Sequence, residues 1–192
     1  MELFFDTETT GLPLFKEQHD HPGQPDVIQL AAILSDADKI YAQLVCIIDP
    51  SVVNSSWSIH PKAEEVHGIS KAIVSQVGLD AEYTYGLFLS MAENADTFVC
   101  HNTSFDKKLI MTALHRLEDA DGLQTINNGQ YFCTMMKSTN LCKLPGKFGY
   151  KWPKLSELHQ FLFGEGFEGA HDALEDVKAT RRCYYELKRR GL

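Results

Sequence analysis

The sequence predicts an α/β domain in which a mixed sheet is layered against helices. Two observations support this class: three strand candidates come first along the chain, and strands and helices alternate after them. The 192 residues, 44% of them apolar, fit one compact body. We therefore expect a single domain over residues 1–192, with its site at the carboxyl ends of the strands.

The strand candidates of the first half are apolar runs bounded by turn residues. Residues 2–5 end at Asp6, before the turn sequence TTGLP, and the polar, proline-rich residues 13–26 indicate an exposed loop. The runs VIQLAAILS and IYAQLVCIID are separated by DADK, which predicts a hairpin. Three strands are therefore expected before the first helix.

The rest of the chain is predicted to be mainly helical. HPKAEEVHG, SKAIVSQV and DAEYTYGLFLSMAEN each open with a proline or a capping residue and carry apolar residues at helical spacing. DTFVCHN predicts a strand, followed by a helix with Ser104 as its N-cap. SELHQFLFG predicts a short helix that ends at Gly164, and HDALEDVKATRRCYYELKRR a long one. Residues 134–153 are expected to be irregular and cationic.

The composition argues against several classes of protein. A net charge of −8 is unlike a surface built for nonspecific duplex binding, although a bound cation can neutralise part of an acidic excess. The five cysteines form no C-x-x-C pair, so neither a disulfide framework nor a zinc knuckle is indicated. No apolar run of about 18 residues and no signal-peptide pattern occurs, so we expect a cytoplasmic protein without a membrane partner.

Asp6 and Glu8 stand two residues apart at the end of the first strand candidate, where the period of two turns both side chains the same way. An Asp-x-Glu pair arises about once by chance in this composition. Asp80 and Glu82 form a second pair in the first turn of a predicted helix, where acids favour the helix dipole. The strand-end context of the first pair favours a function for it.

Two more acids and a histidine are placed where they can join this pair. Asp106 begins the helix after DTFVCHN, and His171 and Asp176 lie near the start of the last helix, about 140° apart around its axis. Carboxylates suit Mg²⁺ or Mn²⁺, and two ions about 4 Å apart can hold the attacking and leaving oxygens of a phosphodiester displacement. Such ions would also remove the repulsion between Asp6 and Glu8. His171 is the candidate base that takes a proton from the attacking water.

These residues fall in motifs that resemble those of the DEDDh 3′-to-5′ exonucleases, the DnaQ-like group that includes polymerase proofreading subunits and RNase T. FFDTETTGL resembles the first family motif, HNTSFDKKLI the second, and HDALEDV, with its H-x-x-x-x-D spacing, the third. The resemblance spans residues 2–186 in the family's order. The segments LPLFKEQHDHPGQPDVIQLAAIL and YKWPKLSELHQFLFGEGFEGAHDALEDV resemble small phage and bacterial members, which implies a standalone nuclease.

The resemblance implies an RNase H-like fold with a mixed five-stranded sheet, its first strand central, and helices on both faces. It implies a 3′-to-5′ exonuclease that releases nucleoside 5′-monophosphates from DNA or RNA with two Mg²⁺ or Mn²⁺ ions. His171 would be the general base. The implied metal ligands are Asp6, Glu8, Asp106 and Asp176. The residues implied to contact the terminal nucleotide are Thr9, Gly11, Leu12 and Asn102.

Alternatives remain open for the function. An enzyme like RNase T or oligoribonuclease would act on short RNA or dinucleotides. A non-cleaving module would bind 3′ ends or a partner protein such as a polymerase, but the intact set of five catalytic residues argues against it. The choice between DNA and RNA depends on contacts to the 2′-hydroxyl, which the sequence does not reveal. The oligomeric state is equally open.

Other residues have plainer explanations beside a functional one. Lysines and aromatic residues alternate in 137–154, a stretch without acids, and this pattern suits a path for single-stranded nucleic acid. A solvated loop whose aromatic rings anchor it to the body explains the pattern equally well. Turn geometry would explain Gly11, and core packing would explain Leu12. His101 is a rival base, although a structural or substrate-orienting role is favoured for it.

Overall fold

A six-stranded mixed sheet forms the centre of the protein in the computed structural model, which describes residues 1–192. Its strands are β1 (Glu2–Thr9), β2 (Val27–Ser35), β3 (Ile40–Asp49), β4 (Leu79–Asp80), β5 (Thr97–Cys100) and β6 (Tyr131–Cys133). Their order across the sheet is β4-β3-β2-β1-β5-β6, with β1 antiparallel to β2 and parallel to β5. The mixed sheet and the interior place of the first strand are as the sequence predicted.

Eight helices surround the sheet. They are α1 (Pro61–His67), α2 (Lys71–Val77), α3 (Ala81–Ala92), α4 (Thr103–Arg116), α5 (Ala120–Asn128), α6 (Thr134–Cys142), α7 (Leu155–Phe163) and α8 (Ala173–Arg189). A short 3₁₀ turn, Pro50–Val52, follows β3, and a two-stranded hairpin of β7 (Pro145–Gly146) and β8 (Gly149–Tyr150) projects between α6 and α7. No helix is both long enough and apolar enough to cross a lipid bilayer.

The expected number of strands, five, is wrong by one. The additional strand is β4, a two-residue segment that pairs in parallel with the end of β3. Gly78 makes this approach possible, because a Cβ at that position would lie 2.9 Å from the backbone nitrogen of Asp49. Two residues between two helices carry no period-2 pattern, so this edge strand has no sequence signature.

Two hydrophobic clusters cover the two faces of the sheet, and β1 contributes to both. Leu3 and Phe5 face α3 and α4, where the rings of Phe5 and Phe88 meet edge to face with centroids 5.2 Å apart. Phe4 faces α8 and meets Tyr184 at 5.4 Å. Burial on both faces explains why β1 begins as a continuous apolar run instead of an alternating one.

The prediction that residues 134–153 are irregular is wrong for the first half of that segment. Thr134–Cys142 forms α6, which buries Met135, Ser138 and Cys142 at helical spacing. The residue in its N-cap position, Cys133, gives no side-chain cap, so the start signal of a helix is missing from the sequence. Helix α5 and strand β6 were likewise not predicted.

Two predicted helix starts are also shifted. Helix α4 begins at Thr103 and not after Ser104, and the residue in the N-cap position is Asn102, in a left-handed conformation with φ 83°. Helix α8 begins at Ala173, and the side chain of Asp172 caps it by accepting the amides of Leu174 and Glu175. His171 therefore precedes the last helix.

Candidate active site

The carboxyl end of β1 extends beyond one of its neighbours. Pairing with β5 stops at Phe4 and Val99, whereas pairing with β2 continues to Thr9. Asp6 and Glu8 lie on this overhanging part, on one face of the strand. Neither carboxylate accepts a hydrogen bond or forms a salt bridge, and both are partly buried.

Helix α4 brings Asp106 to the free edge of β1. Asp106 lies in the first turn of the helix and is 2% exposed. Its Oδ1 accepts two hydrogen bonds from Thr7, one from the backbone N–H at 3.1 Å and one from the hydroxyl at 2.9 Å. Thr7 lies beyond the part of β1 that pairs with β5, so its backbone N–H is available to fix the orientation of Asp106.

The segment before α8 brings His171 to the same place. His171 adopts a left-handed backbone conformation with φ 73°, and its backbone N–H donates to Oδ2 of Asp176 at 3.2 Å. This turn folds the histidine back over the first turn of the helix. As a result, ligand atoms of Glu8, His171 and Asp176 all lie within 4.8 Å of one another.

The electrostatics show that the four acids share one site. Burial, together with the charges of Asp106, Asp176 and Glu8, raises the pKa of Asp6 well above its usual value. Burial and the charges of Asp176 and Asp106 raise the pKa of Glu8 to about 8. Burial raises the pKa of Asp106 to about 7, against the lowering effect of the hydrogen bonds from Thr7. Burial also raises the pKa of Asp176.

This arrangement fits bound divalent cations. Four carboxylates with no lysine or arginine partner repel one another, and a protein that buries such charges without compensation loses stability. Carboxylate oxygens are the ligands that hard divalent cations prefer. The residues that would hold them are Asp6, Glu8, Asp106 and Asp176.

The turn after β1 is fixed by Thr9 and His67. Thr9 donates its hydroxyl hydrogen to the carbonyl of Gly11 at 2.7 Å. The Nδ1 of His67 accepts the amide of Ile69 at 3.0 Å, so its Nε2 carries the proton and donates to the carbonyl of Thr9 at 3.2 Å. Burial lowers the pKa of His67, in keeping with this neutral ring.

The plain explanations for Gly11 and Leu12 are wrong. Gly11 has no positive φ, and a Cβ there would make only an ordinary contact with the Cβ of His60 at 3.8 Å, so turn geometry does not require a glycine. Leu12 is 82% exposed, so it is not part of the core. Asn102 lies at the head of α4, where its Oδ1 accepts the hydroxyl of Ser104 at 3.0 Å.

His101 is unsuited to act as a base. Its Nε2 lies 3.0 Å from the carbonyl of Pro153 and therefore carries the proton, while its Nδ1 faces the hydroxyl of Thr134 at 2.9 Å. Burial lowers the pKa of His101 to about 4. Both nitrogens are engaged, so this residue has a structural role: it ties the end of β5 to the segment before α7.

Sequence reasoning missed Thr7 and Gln29. Strand alternation turns the Thr7 side chain away from Asp6 and Glu8, and its bond to Asp106 depends on where α4 begins. Gln29 is paired with Glu8 across β1 and β2, and its amide oxygen is buried without a hydrogen-bond partner. Residue spacing cannot reveal the bond between Thr7 and Asp106 or the pairing of Gln29 with Glu8, because each joins segments that are distant in sequence.

The mixed sheet with helices on both faces and the acidic cluster at a strand end fit the class of RNase H-like proteins, with a candidate metal site. The profile of a family described as exonuclease matches residues 3–184. The chain therefore belongs to this exonuclease family, and the predicted membership of the DnaQ-like 3′-to-5′ exonucleases is confirmed. A search of curated protein sequences finds no match.

Solved structures support the fold. A zinc-bound complex of Escherichia coli exonuclease I with single-stranded DNA has a TM-score of 0.73 and 19% identity, over 98% of this chain and 40% of that one. The same enzyme with a 5cy-dT13 oligonucleotide gives a TM-score of 0.72 and 20% identity, with the same coverage. Exonuclease I from Methylocaldum szegediense gives 0.68 and 19%, again covering 98% and 40%. This chain thus spans about 40% of the length of these proteins.

Proposed function

We propose that residues 1–192 act as one exonuclease domain that hydrolyses the last phosphodiester bond at the 3′ end of a nucleic acid and releases a nucleoside 5′-monophosphate. The observation that carries this proposal is the cluster of four acids that lack any cationic side-chain partner, with His171 beside two of them. Exonucleases of this type depend on divalent metal ions. Because this site is built from carboxylate oxygens, we propose two Mg²⁺ or Mn²⁺ ions as the cofactor.

The roles of the residues follow from their positions. When bound, such ions would stabilise the attacking and leaving oxygens of the displacement. Asp6, Glu8, Asp106 and Asp176 would hold them, and Thr7 would keep the Asp106 carboxylate in one orientation through its two hydrogen bonds.

His171 would take the proton from the attacking water. Its ring is exposed to solvent, so it can pass that proton on to bulk water. Its backbone bond to Asp176 keeps the imidazole next to the acids. The ring nitrogens of His67 and His101 are hydrogen-bonded, so neither of these histidines is free to take that proton.

The terminal nucleotide would lie along the turn after β1. The exposed side chain of Leu12 would pack on its base, while the backbone at Thr9 and Gly11 and the side chain of Asn102 would line the pocket. Single-stranded nucleic acid is the proposed substrate, supported by the E. coli exonuclease I complexes with single-stranded DNA.

A degradation assay tests the function. DNA as a single strand, DNA as a duplex, RNA and a dinucleotide, each labelled at the 5′ end, are incubated with Mg²⁺, with Mn²⁺ or with EDTA. We expect a ladder of products shortened from the 3′ end of the single strand with metal, and none with EDTA. If only short RNA and dinucleotides are degraded, the enzyme resembles oligoribonuclease. Intact substrates in every metal-containing lane would refute the proposal.

A further inference from the structure

A basic, aromatic surface lies between α6 and α7. We call residues 143–154, which contain the hairpin of β7 and β8, the basic hairpin. The chain carries a net charge of −8, yet residues 134–154 hold five lysines and no acid. The positive charge of this stretch is therefore a local departure from the rest of the molecule.

The aromatic rings of the basic hairpin are exposed. Phe148 is 93% exposed, Trp152 65% and Tyr150 52%. Rings that anchored the hairpin to the body would be buried, so the anchoring explanation is wrong for these three. The hairpin is held instead by the buried Pro153, whose carbonyl accepts the Nε2 proton of His101.

The lysines are mostly free to meet an anion. Of the four in the basic hairpin, Lys151 alone has an acidic partner, Glu157, at 2.5 Å. The Nζ of Lys147 lies 5.1 Å from the centre of the Phe148 ring, which places a cation and an exposed ring side by side. Exposed rings interleaved with unpaired cations match the bases and phosphates of a single strand.

The position of the basic hairpin links it to the candidate active site. His101, which holds its base, directly follows β5 and precedes the head of α4, where Asp106 lies. The base of the hairpin thus meets the same end of the sheet as the acidic cluster. A strand whose 3′ end lies at the acids has this surface within reach of its preceding nucleotides.

We propose that the basic hairpin binds the single-stranded portion of the substrate that precedes the terminal nucleotide. Its rings stack on bases and its lysines contact phosphates, so affinity depends on the length of the strand and little on its sequence. This inference rests on the proposed function, because it takes the 3′ end of the strand to lie at the acids.

Binding of a fluorescently labelled single strand, measured by anisotropy in EDTA to prevent cleavage, tests the inference. Phe148→Ala and Trp152→Ala are each expected to weaken binding by about 5- to 150-fold, the usual cost of losing one stacked base. Replacing Lys143, Lys147 and Lys154 by Gln should make the slope of log affinity against log salt shallower by about 0.7 for each phosphate that is no longer neutralised. Unchanged affinity and salt dependence in these variants would overturn the inference.

Tyr83→Ala is the matched control. Tyr83 is 80% exposed on α3 and lies beside Leu117 and Asp119, near the far end of α4 from Asp106. Its replacement should leave strand binding unchanged. An equal loss of affinity in this control would show that any exposed ring matters, and would also overturn the inference.

A small substrate separates this inference from the proposed function. The p-nitrophenyl ester of thymidine 5′-monophosphate reaches the acids but not the hairpin, so Phe148→Ala should hydrolyse it at the wild-type rate while its KM for a long single strand rises. Absence of metal-dependent hydrolysis by the wild type would refute the proposed function. Normal hydrolysis with an unchanged KM for the long strand would refute the hairpin's role alone.

Discussion

The chain contains the same short pattern, Asp-x-Glu, in two places with different structural roles. Asp80 is the N-cap of α3 and accepts the amides of Glu82 and Tyr83, so its charge is compensated by the helix it begins. Asp6 and Glu8 accept no hydrogen bond, and burial together with neighbouring acids raises the pKa of both. Asp80 therefore stabilises α3, whereas the charges of Asp6 and Glu8 destabilise the metal-free fold.

The difference lies in the partners that the rest of the chain supplies. Asp80 is satisfied by backbone amides adjacent to it in sequence, and Glu82 lies in the first turn of the same helix. Asp6 and Glu8 meet Asp106, about 100 residues later, and Asp176 on the last helix. A locally unfavourable arrangement that is assembled from three distant segments indicates a site for a ligand of opposite charge.

Asp6→Asn should have the largest effect. It removes a proposed metal ligand, and we expect activity on a single strand to fall by roughly 10⁴-fold or more. The metal-free variant should be more stable than wild type in urea, because a buried charge without a partner has been removed. The matched control Asp80→Asn should keep full activity. Loss of activity in both variants, or in neither, would show that the two Asp-x-Glu pairs do not differ in function.

His171→Ala tests whether His171, from the segment before α8, acts as the general base beside Asp6 and Glu8. Loss of a general base should lower kcat by on the order of 10³-fold. Metal binding, measured by calorimetry, should largely survive. A variant with wild-type kcat, or one that no longer binds metal, would show that His171 has a different role.

The stability of the metal-free protein should fall as pH rises. Below their usual pKa values of about 4, Asp106 and Glu8 are protonated in both folded and unfolded chains, so they have no effect. Above pH 4 the unfolded chain releases these protons first, and stability decreases until the pH passes the folded pKa values of about 7 for Asp106 and about 8 for Glu8.

Divalent cations should reverse this loss. Binding to deprotonated acids tightens with pH, and at about 100 times Kd it stabilises the fold by about 2.7 kcal/mol. Thermal unfolding between about pH 6.5 and pH 8, where His101 is mostly neutral in both folded and unfolded chains, provides the measurement with and without Mg²⁺. Glu8→Gln should make the stability of the metal-free protein depend less on pH. A wild-type stability that does not change with pH would contradict the assigned pKa shifts.

Asp80→Ala should have the smallest effect. Loss of a helix N-cap costs about 1 kcal/mol of folding free energy, measured by urea denaturation, while activity stays at the wild-type level. Asp80→Asn serves as the conservative control, because asparagine retains the capping oxygen. A fall in activity as large as that of Asp6→Asn would mean that the second pair also serves the site.

Much of the fold followed from local patterns. The apolar runs of β1, β2 and β3, the proline and serine at the starts of α1 and α2, and the glycine that ends α7 are signals carried by neighbouring residues. The segments that were not predicted lack such signals. Helix α6 has no capping side chain, and β4 and β6 are two and three residues long and depend on the strands beside them.

For the candidate site, too, some features could be predicted from the sequence and others depended on the tertiary structure. By itself, the sequence determined which residue types were available and in what order, and its three motifs were sufficient to predict the family and to name Asp6, Glu8, Asp106, His171 and Asp176 as candidates. Tertiary structure alone decided that Thr7 orients Asp106, that His101 is tied to Pro153, and that Leu12 and the rings of the basic hairpin face solvent. The physical reason is that hydrogen bonding and burial depend on distances in space between segments far apart in the chain, whereas caps, turns and periodicity depend on neighbours along it.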